Sequence, residues 1–209
     1  MAVKQSFRTL DDLERTVRAL ATEFKTDKVF IIGSQAILLS WPGAPTAMRS
    51  SLEIDAYPGN AKFWEIEERK KEPDAEASEH INALFGQGSM FHQTHGFYID
   101  GVDDNTARLP PNWEARAFRK RIEVAGKSVL AVAPAPEDLI VSKLARLDPK
   151  DKEFVESYID ARPLDLKAIE ELVLATDLDP AVADRAITYL RSLARREDVA
   201  ATKPERKAD

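Results

Sequence analysis

Glu53 and Asp55, two residues apart in the run Ser51-Leu52-Glu53-Ile54-Asp55, are the side chains whose type and spacing best suit chemistry. Alternate residues of a strand point to one face, so a strand here sets two carboxylates side by side, about 7 Å apart at the backbone, with Leu52 and Ile54 turned the other way. That is a way to clamp a divalent cation. For an isolated E-x-D the plainer account is an exposed edge strand with ordinary alternation. The context argues for more. Upstream, the apolar run Val29 to Ile32 reads as a buried strand, followed by Gly33-Ser34 and then by Gln35 to Trp41, which reads as a short helix. A helix that starts on Gly-Ser offers free backbone N–H groups and a hydroxyl to an anion at the positive end of its dipole. Glycine there lets a phosphate come close. A loop from Pro42 to Ser50 then leads to the acids on a neighbouring strand.

Further along, Lys143 lies within the apolar face formed by Leu139, Ile140, Leu144 and Leu147. A lysine there either packs its stem and snorkels to water or aims its charge at a ligand. Asp151 sits in a first helical turn, where an acid favours the dipole, on the same side as Phe154 and Val155. Arg146 either binds phosphate or pairs with nearby acids, and the residues leave both readings open. His92 and His95 have H-x-x-H spacing, but Gly88 and Gly96 flank them and suggest a loop. Zinc needs a third ligand and ordered support, so a substrate-facing or structural pair is the better reading. Trp113, Arg116, Arg119, Lys120, Arg121 and Lys127 form the one concentrated basic stretch. Its cations could track a phosphate backbone while Trp113 stacks on a base. A solvated strand edge that uses charge against aggregation is the duller alternative.

The elements that must position these groups follow from pattern. An amphipathic helix runs from about Thr9 to Phe24, with Leu10, Leu13, Val17, Leu20 and Phe24 at helical spacing and a loose capping box at Thr9 and Asp12. After the acidic strand come two charged helical stretches, Ala61 to Lys71 and Ala75 to Phe85. Gly96 to Val102 reads as a strand in which Tyr98 and Asp100 share a face opposite Phe97 and Ile99. Arg121 to Ala125 and Val129 to Ala133 read as a hairpin turning on Gly126-Lys127. From Pro136 onward the pattern is helical: Pro136 to Leu147, Lys150 to Ala161, Leu164 to Thr176 and Pro180 to Arg195, with Pro136 and Pro180 in first-turn positions. The fold expected is α/β (α+β), a mixed sheet flanked by helices with a helical C-terminal third. It divides into a core over 1–134, a helical region over 135–196 packed on that core, and a disordered polar tail over 197–209.

Composition bounds the function. At 209 residues with 44% hydrophobic residues, the chain can fill a core. No segment is long and apolar enough to span a bilayer, and Met1 to Leu10 lacks a signal-peptide core, so the expected location is cytoplasmic, with no membrane partner. The absence of cysteine excludes disulfides and thiolate chemistry. A net charge of −6 argues against a broad electrostatic grip on nucleic acid and leaves room for a local patch.

The pieces Ile32-Gly33-Ser34-Gln35-Ala36 and Arg49-Ser50-Ser51-Leu52-Glu53-Ile54-Asp55 resemble the nucleotidyltransferase fold of the DNA polymerase β superfamily, where a G-S step holds a triphosphate and acids in a [DE]-x-[DE] pattern bind magnesium. More narrowly, the chain resembles the minimal bacterial nucleotidyltransferases related to the AbiEii and MenT toxins. The second matching block is Pro136 to Arg146 with Lys150-Asp151, similar to the Lys-containing helix and the following [KR]-D helix of those toxins. One departure is that the first acid is Glu53, where the superfamily more often has Asp. The resemblance implies that Glu53 and Asp55 hold two Mg²⁺ ions, with Asp100 as a third metal-side acid, although an Asp before Gly101 is also an ordinary turn residue. It further implies that Gly33, Ser34 and Lys143 grip the β and γ phosphates of an NTP, that Arg146 assists, and that Asp151 supports the active site. The acceptor in the related toxins is the 3′ end of tRNA, which makes a toxin with a cognate antitoxin the leading expectation and gives Trp113, Arg116, Arg119 and Arg121 a role in acceptor binding. The rival readings are transfer to a protein or small-molecule hydroxyl, and a catalytically silent nucleotide- or partner-binding module. Fold alone does not choose among them.

Overall fold

The computed structural model describes residues 7–201. Helix α1 (Leu10–Phe24) opens on a complete capping box: the Thr9 hydroxyl accepts from the Asp12 amide at 3.3 Å, and Asp12 accepts from the Thr9 amide at 2.9 Å. Its stripe of Leu13, Val17, Leu20 and Phe24 is buried, and Lys25 ends it in the left-handed region (φ 51°).

Strand β1 (Lys28–Ile32) follows, then a 3₁₀ turn (Ser34–Ala36) and a single turn of helix, α2 (Ile37–Ser40). A second 3₁₀ turn (Thr46–Arg49) leads into β2 (Glu53–Pro58), and helices α3 (Ala61–Glu68), α4 (Ala77–Phe85) and α5 (Met90–His95) lead to β3 (Tyr98–Gly101). A short α6 (Trp113–Arg116) precedes the hairpin of β4 (Phe118–Val124) and β5 (Lys127–Ala133). Four helices complete the chain: α7 (Pro136–Arg146), α8 (Pro149–Ala161), α9 (Leu166–Ala175) and α10 (Pro180–Ala201).

The five strands form one mixed sheet in the order β3-β2-β1-β5-β4. β1 pairs antiparallel with β2 and parallel with β5, while β2 and β3 are parallel and β4 and β5 antiparallel. One hydrophobic core runs from Leu13 on α1 through Ile31 and Ile54 on the sheet to Leu139, Val155, Ile169 and Leu190 on the C-terminal helices, so residues on both sides of position 135 share it. The opposite face carries a smaller cluster of Phe30, Ile32, Tyr57 and Val132. Alternation along β2 assigns the faces: Ile54 and Ala56 enter the main core, and Glu53, Asp55 and Tyr57 share the other side.

Differences from the sequence reading have local causes. The hairpin turns on Ala125-Gly126, both at positive φ (49° and 77°), rather than on Gly126-Lys127. Two consecutive left-handed residues match the twist of the flanking strands, and Lys127 then opens β5. Helix α5 replaces the loop expected around His92 and His95: Ser89 caps it by accepting from the His92 amide at 3.2 Å, and Gly96 (φ 75°) is its C-cap. A glycine that suggested a loop is thus a helix terminator, and six residues are too few for periodicity to show. Helix α10 continues through Ala201, beyond Glu197 where the sequence suggests a tail; positions 202–209 lie outside the described residues. Among the described residues, no helix is long and apolar enough to cross a membrane.

Candidate active site

The site begins where β1 ends. Antiparallel pairing places Ile32 opposite Asp55, so the turn at Gly33 lies against the Asp55 side chain. Gly33 takes φ 66° and ψ −167°, a region open essentially to glycine alone, and a Cβ there would meet Asp55 Oδ2 at 1.9 Å. The glycine expected to admit a phosphate is therefore required first by the carboxylate. The helix expected to begin at Gly33-Ser34 is two short pieces, Ser34–Ala36 and Ile37–Ser40, too short to build an appreciable dipole. What Gly33 and Ser34 present to the cleft is a turn and a hydroxyl.

Glu53 and Asp55 share a face as their spacing requires. Burial foremost, then the charge of Glu53 and a smaller contribution from Asp100, push Asp55 up to about 7, although the Lys143 charge pulls the other way. Asp100 is the register partner of Asp55 across β2 and β3, and burial and the charge of Glu53 raise its pKa as well. Tyr98 is the register partner of Glu53, and its hydroxyl donates to Glu53 Oε2 at 2.7 Å. Burial and that carboxylate push Tyr98 up to about 12, so it remains a donor at neutral pH. Among the described residues, no group of three or more acids or histidines is arranged to hold a metal ion, so Asp100 shares the face without completing a three-ligand set. Two carboxylates nonetheless fit Mg²⁺, a hard cation that prefers oxygen, keeps several waters and is commonly held by one or two carboxylates together with substrate phosphates. Burial first and the neighbouring Glu53 charge second disfavour the Asp55 carboxylate, and a cation bound here would offset both.

Across the cleft, Lys143 is only 6% exposed, so it does not snorkel to water. Its Nζ lies 3.3 Å from Asp151 Oδ1 and 5.6 Å from the centre of the Phe154 ring. Arg146 is tied to the same acid, donating from Nε to Oδ2 at 2.7 Å and from Nη2 to Oδ1 at 2.9 Å. Asp151 is 1% exposed and also accepts from the Asp148 amide at 3.2 Å, so it caps α8 while holding two cations. Burial alone would raise the Asp151 pKa; the Arg146 hydrogen bonds and the Lys143 charge override it and hold the acid below its ordinary value. Burial lowers the Lys143 pKa, and Asp151 opposes that shift. Asp151 thus caps its helix and pairs with Lys143, and Arg146 is paired with the same acid.

Gly33, Ser34, Glu53, Asp55, Lys143 and Arg146 all line one cleft of about 1560 Å³. Its further walls include Arg108 and the approach to α10 from Asp177 to Val182. The basic stretch is elsewhere. Trp113 packs edge-on against Phe30, 6.0 Å between centroids, on the smaller cluster. Arg116 donates from Nη2 to Asp138 Oδ1 at 2.6 Å, and that acid is wholly buried. Arg119 donates to the carbonyls of Ala117, at 2.9 Å, and of Glu114, while Lys120 pairs with Glu14 at 2.8 Å. Arg121 is exposed on β4. None of Trp113, Arg116, Arg119 and Arg121 lines the cleft. The two histidines serve aromatic packing, His92 against Tyr98 at 5.3 Å and His95 against Phe91 at 4.6 Å.

The hydrogen bond from Tyr98 to Glu53 and the buried Asp138 were not legible in the sequence. Tyr98 was visible as a face-mate of Asp100, but nothing in the chain announces that β3 pairs with β2. Asp138 reads as an ordinary first-turn acid.

No curated protein and no solved structure matches the chain. A family model described as "Nucleotidyltransferase of unknown function (DUF6036)" matches residues 8–201, nearly the whole chain, and the protein belongs to that nucleotidyltransferase family.

Proposed function

We propose that this protein is a Mg²⁺-dependent enzyme that moves a nucleotidyl group from an NTP to an acceptor hydroxyl and releases pyrophosphate. The observation that carries the reading is the meeting, in one cleft, of the Glu53 and Asp55 carboxylates with the Gly33-Ser34 turn and the buried Lys143. Glu53 and Asp55 would hold the metal, which when bound would stabilise charge on the α-phosphate and lower the pKa of the attacking hydroxyl. Lys143 is fixed by Asp151 at the edge of the cleft and supplies a positive charge for the β and γ phosphates, with Arg146 beside it. The Ser34 hydroxyl and the backbone at Gly33 offer hydrogen bonds to the same phosphates. Because Asp151 holds both cations, phosphate meets side chains already in place, and little conformational entropy remains to be lost on binding.

For the acceptor, the resemblance to AbiEii- and MenT-related toxins makes the 3′ end of tRNA the first candidate, with a cytoplasmic toxin role and a cognate antitoxin as its corollaries. Since Arg116 and Arg119 are engaged within the protein, the cations we assign to an RNA strand are Arg108 and Lys150, which line the cleft, with Arg121 on the exposed edge of the sheet. A protein or small-molecule hydroxyl is the alternative acceptor. A second reading, a module that binds nucleotide without transferring it, draws on the limited ligand set: two carboxylates, one on the longer glutamate arm, with no third acid completing a metal cluster among the described residues.

The test is to incubate the full chain with each of four labelled NTPs, Mg²⁺ and either total tRNA or a protein extract, and to follow pyrophosphate and label. Pyrophosphate release with label on the RNA supports the reading, and label on protein moves the acceptor. NTP binding with no pyrophosphate release under any condition leaves the silent module standing.

A further inference from the structure

Glu53 carries one methylene more than an aspartate, hence one more rotatable bond, and a carboxylate on that arm must be held if it is to meet a cation in a fixed place. The parallel register of β2 and β3 provides the means. Tyr98 stands opposite Glu53, and its hydroxyl donates to Oε2 at 2.7 Å. One carboxylate oxygen is thereby occupied and Oε1 is left over. The tyrosine ring is itself braced. His92 meets it at a 63° interplanar angle with 5.3 Å between centroids. The imidazole is anchored in turn, because Nδ1 accepts from the Gly88 amide at 3.0 Å and its backbone amide is capped by Ser89. The chain of support runs from the start of α5 through His92 and Tyr98 to Glu53. Both Glu53 and Tyr98 line the cleft.

We propose that Tyr98 is a positioning residue for the metal clamp, its hydroxyl fixing the longer arm of Glu53 so that the remaining carboxylate oxygen is preset for a divalent cation. The proposal rests on the reading of Glu53 and Asp55 as that clamp. It accounts for how a glutamate can stand where an aspartate needs no such support: the extra reach is taken up by a hydrogen bond from the neighbouring strand. Partners that orient a metal-binding carboxylate are worth roughly 10- to 100-fold in metal affinity.

The experiment is calorimetric titration of Mg²⁺, without nucleotide, into the full-length parent, Tyr98→Phe, Glu53→Asp and the double variant, with the metal-free melting temperature of each. Phenylalanine keeps the ring and its contact with His92 and removes only the donor. The expected result is a roughly 10-fold weaker Mg²⁺ affinity in Tyr98→Phe with a melting temperature within about 2 °C of the parent. On the Glu53→Asp background, where the shorter arm falls short of the hydroxyl, Tyr98→Phe should cause no further loss. Equal Mg²⁺ affinity in the parent and Tyr98→Phe overturns the positioning role and leaves the clamp intact. An undiminished loss on the Glu53→Asp background also overturns it, since Tyr98 would then act through something other than Glu53. A melting temperature far below the parent makes the bond structural and ends the proposal. A parent that binds Mg²⁺ neither alone nor with an NTP present removes the clamp itself, a failure separable from the others because it needs no variant to be seen.

Discussion

Gly33 and Asp55 are packed so closely that a single methyl group on the glycine would fall 1.9 Å from Asp55 Oδ2. The antiparallel register of β1 and β2 creates this proximity, and the positive φ of Gly33 turns the chain away just above the acid. Gly33→Ala should therefore fail twice. The backbone conformation is strained for any residue with a Cβ, by roughly 1–3 kcal/mol, and the carboxylate must leave its position. We expect a clear drop in melting temperature together with loss of Mg²⁺ binding. An alanine variant that melts like the parent and binds Mg²⁺ as well would show that Asp55 has room the packing denies.

Lys143, Asp151 and Arg146 predict an asymmetry. Removing Asp151 leaves Lys143 buried without its carboxylate, the situation that costs about 3–5 kcal/mol when a buried pair is broken from one side. Removing the Lys143 charge with Lys143→Met keeps the apolar stem, and Asp151 retains two hydrogen bonds from Arg146. Asp151→Ala should thus be the more destabilising change in urea denaturation. Lys143→Met should have the larger specific effect on NTP affinity, about 1.5–3 kcal/mol for a charged hydrogen bond lost. If Lys143→Met binds NTP as the parent does, Lys143 is a partner of Asp151 and nothing more.

What the sequence disclosed follows the range of the interactions involved. The spacing of Glu53 and Asp55 is a property of a single strand, and the helical stripes of α1 and α7 repeat over several turns, so both could be read locally. The mixed sheet and its helical C-terminal third were legible in outline for the same reason. The packing of Gly33 on Asp55, the bond from Tyr98 to Glu53 and the pairing of Arg116 with Asp138 join residues distant in the chain, and only strand order and register bring them together. The basic stretch shows the converse. Two of its cations, Arg116 and Lys120, pair with Asp138 and Glu14, acids that lie elsewhere in the sequence, so the stretch alone could not show that they are engaged. Helix α5 escaped because its capping serine and terminal glycine also suit a turn.

Arg116 and Arg121 separate structure from acceptor binding. Arg116 satisfies a carboxylate with no exposure to solvent, whereas Arg121 is exposed on the outer strand. Arg116→Gln should lower stability by about 1.5–3 kcal/mol, the range for hydrogen bonds to a charged group. Arg121→Gln should leave the melting temperature alone and, if RNA docks on this edge, weaken RNA binding and reduce the slope of log affinity against log salt by about one. RNA affinity unchanged by Arg121→Gln, alone or with Arg108→Gln and Lys150→Gln, would remove this edge and the cleft cations from acceptor recognition together.

Asp55 gives the pH dependence a definite sign. Its folded pKa, pushed from the ordinary value of 3.8 up to about 7 by burial and by Glu53, means that the folded protein holds a proton that the unfolded chain has released between about pH 4 and 7. Stability of the metal-free protein should therefore fall as pH rises through that window and level off above 7, the reverse of the trend for a salt-bridged carboxylate. Asp55→Asn should flatten this component, raise metal-free stability at pH 7–8 and abolish nucleotidyl transfer, because the amide no longer attracts a cation. Mg²⁺ competes with the proton for the same oxygens, so its affinity for the parent should increase between pH 6 and 8 and its stabilising effect should be greatest at the alkaline end. Melting curves from pH 5 to 8.5, with and without Mg²⁺, for parent and Asp55→Asn measure all of this. An Asp55→Asn protein that melts well below the parent at pH 8 would make the carboxylate a structural group and take the metal clamp with it.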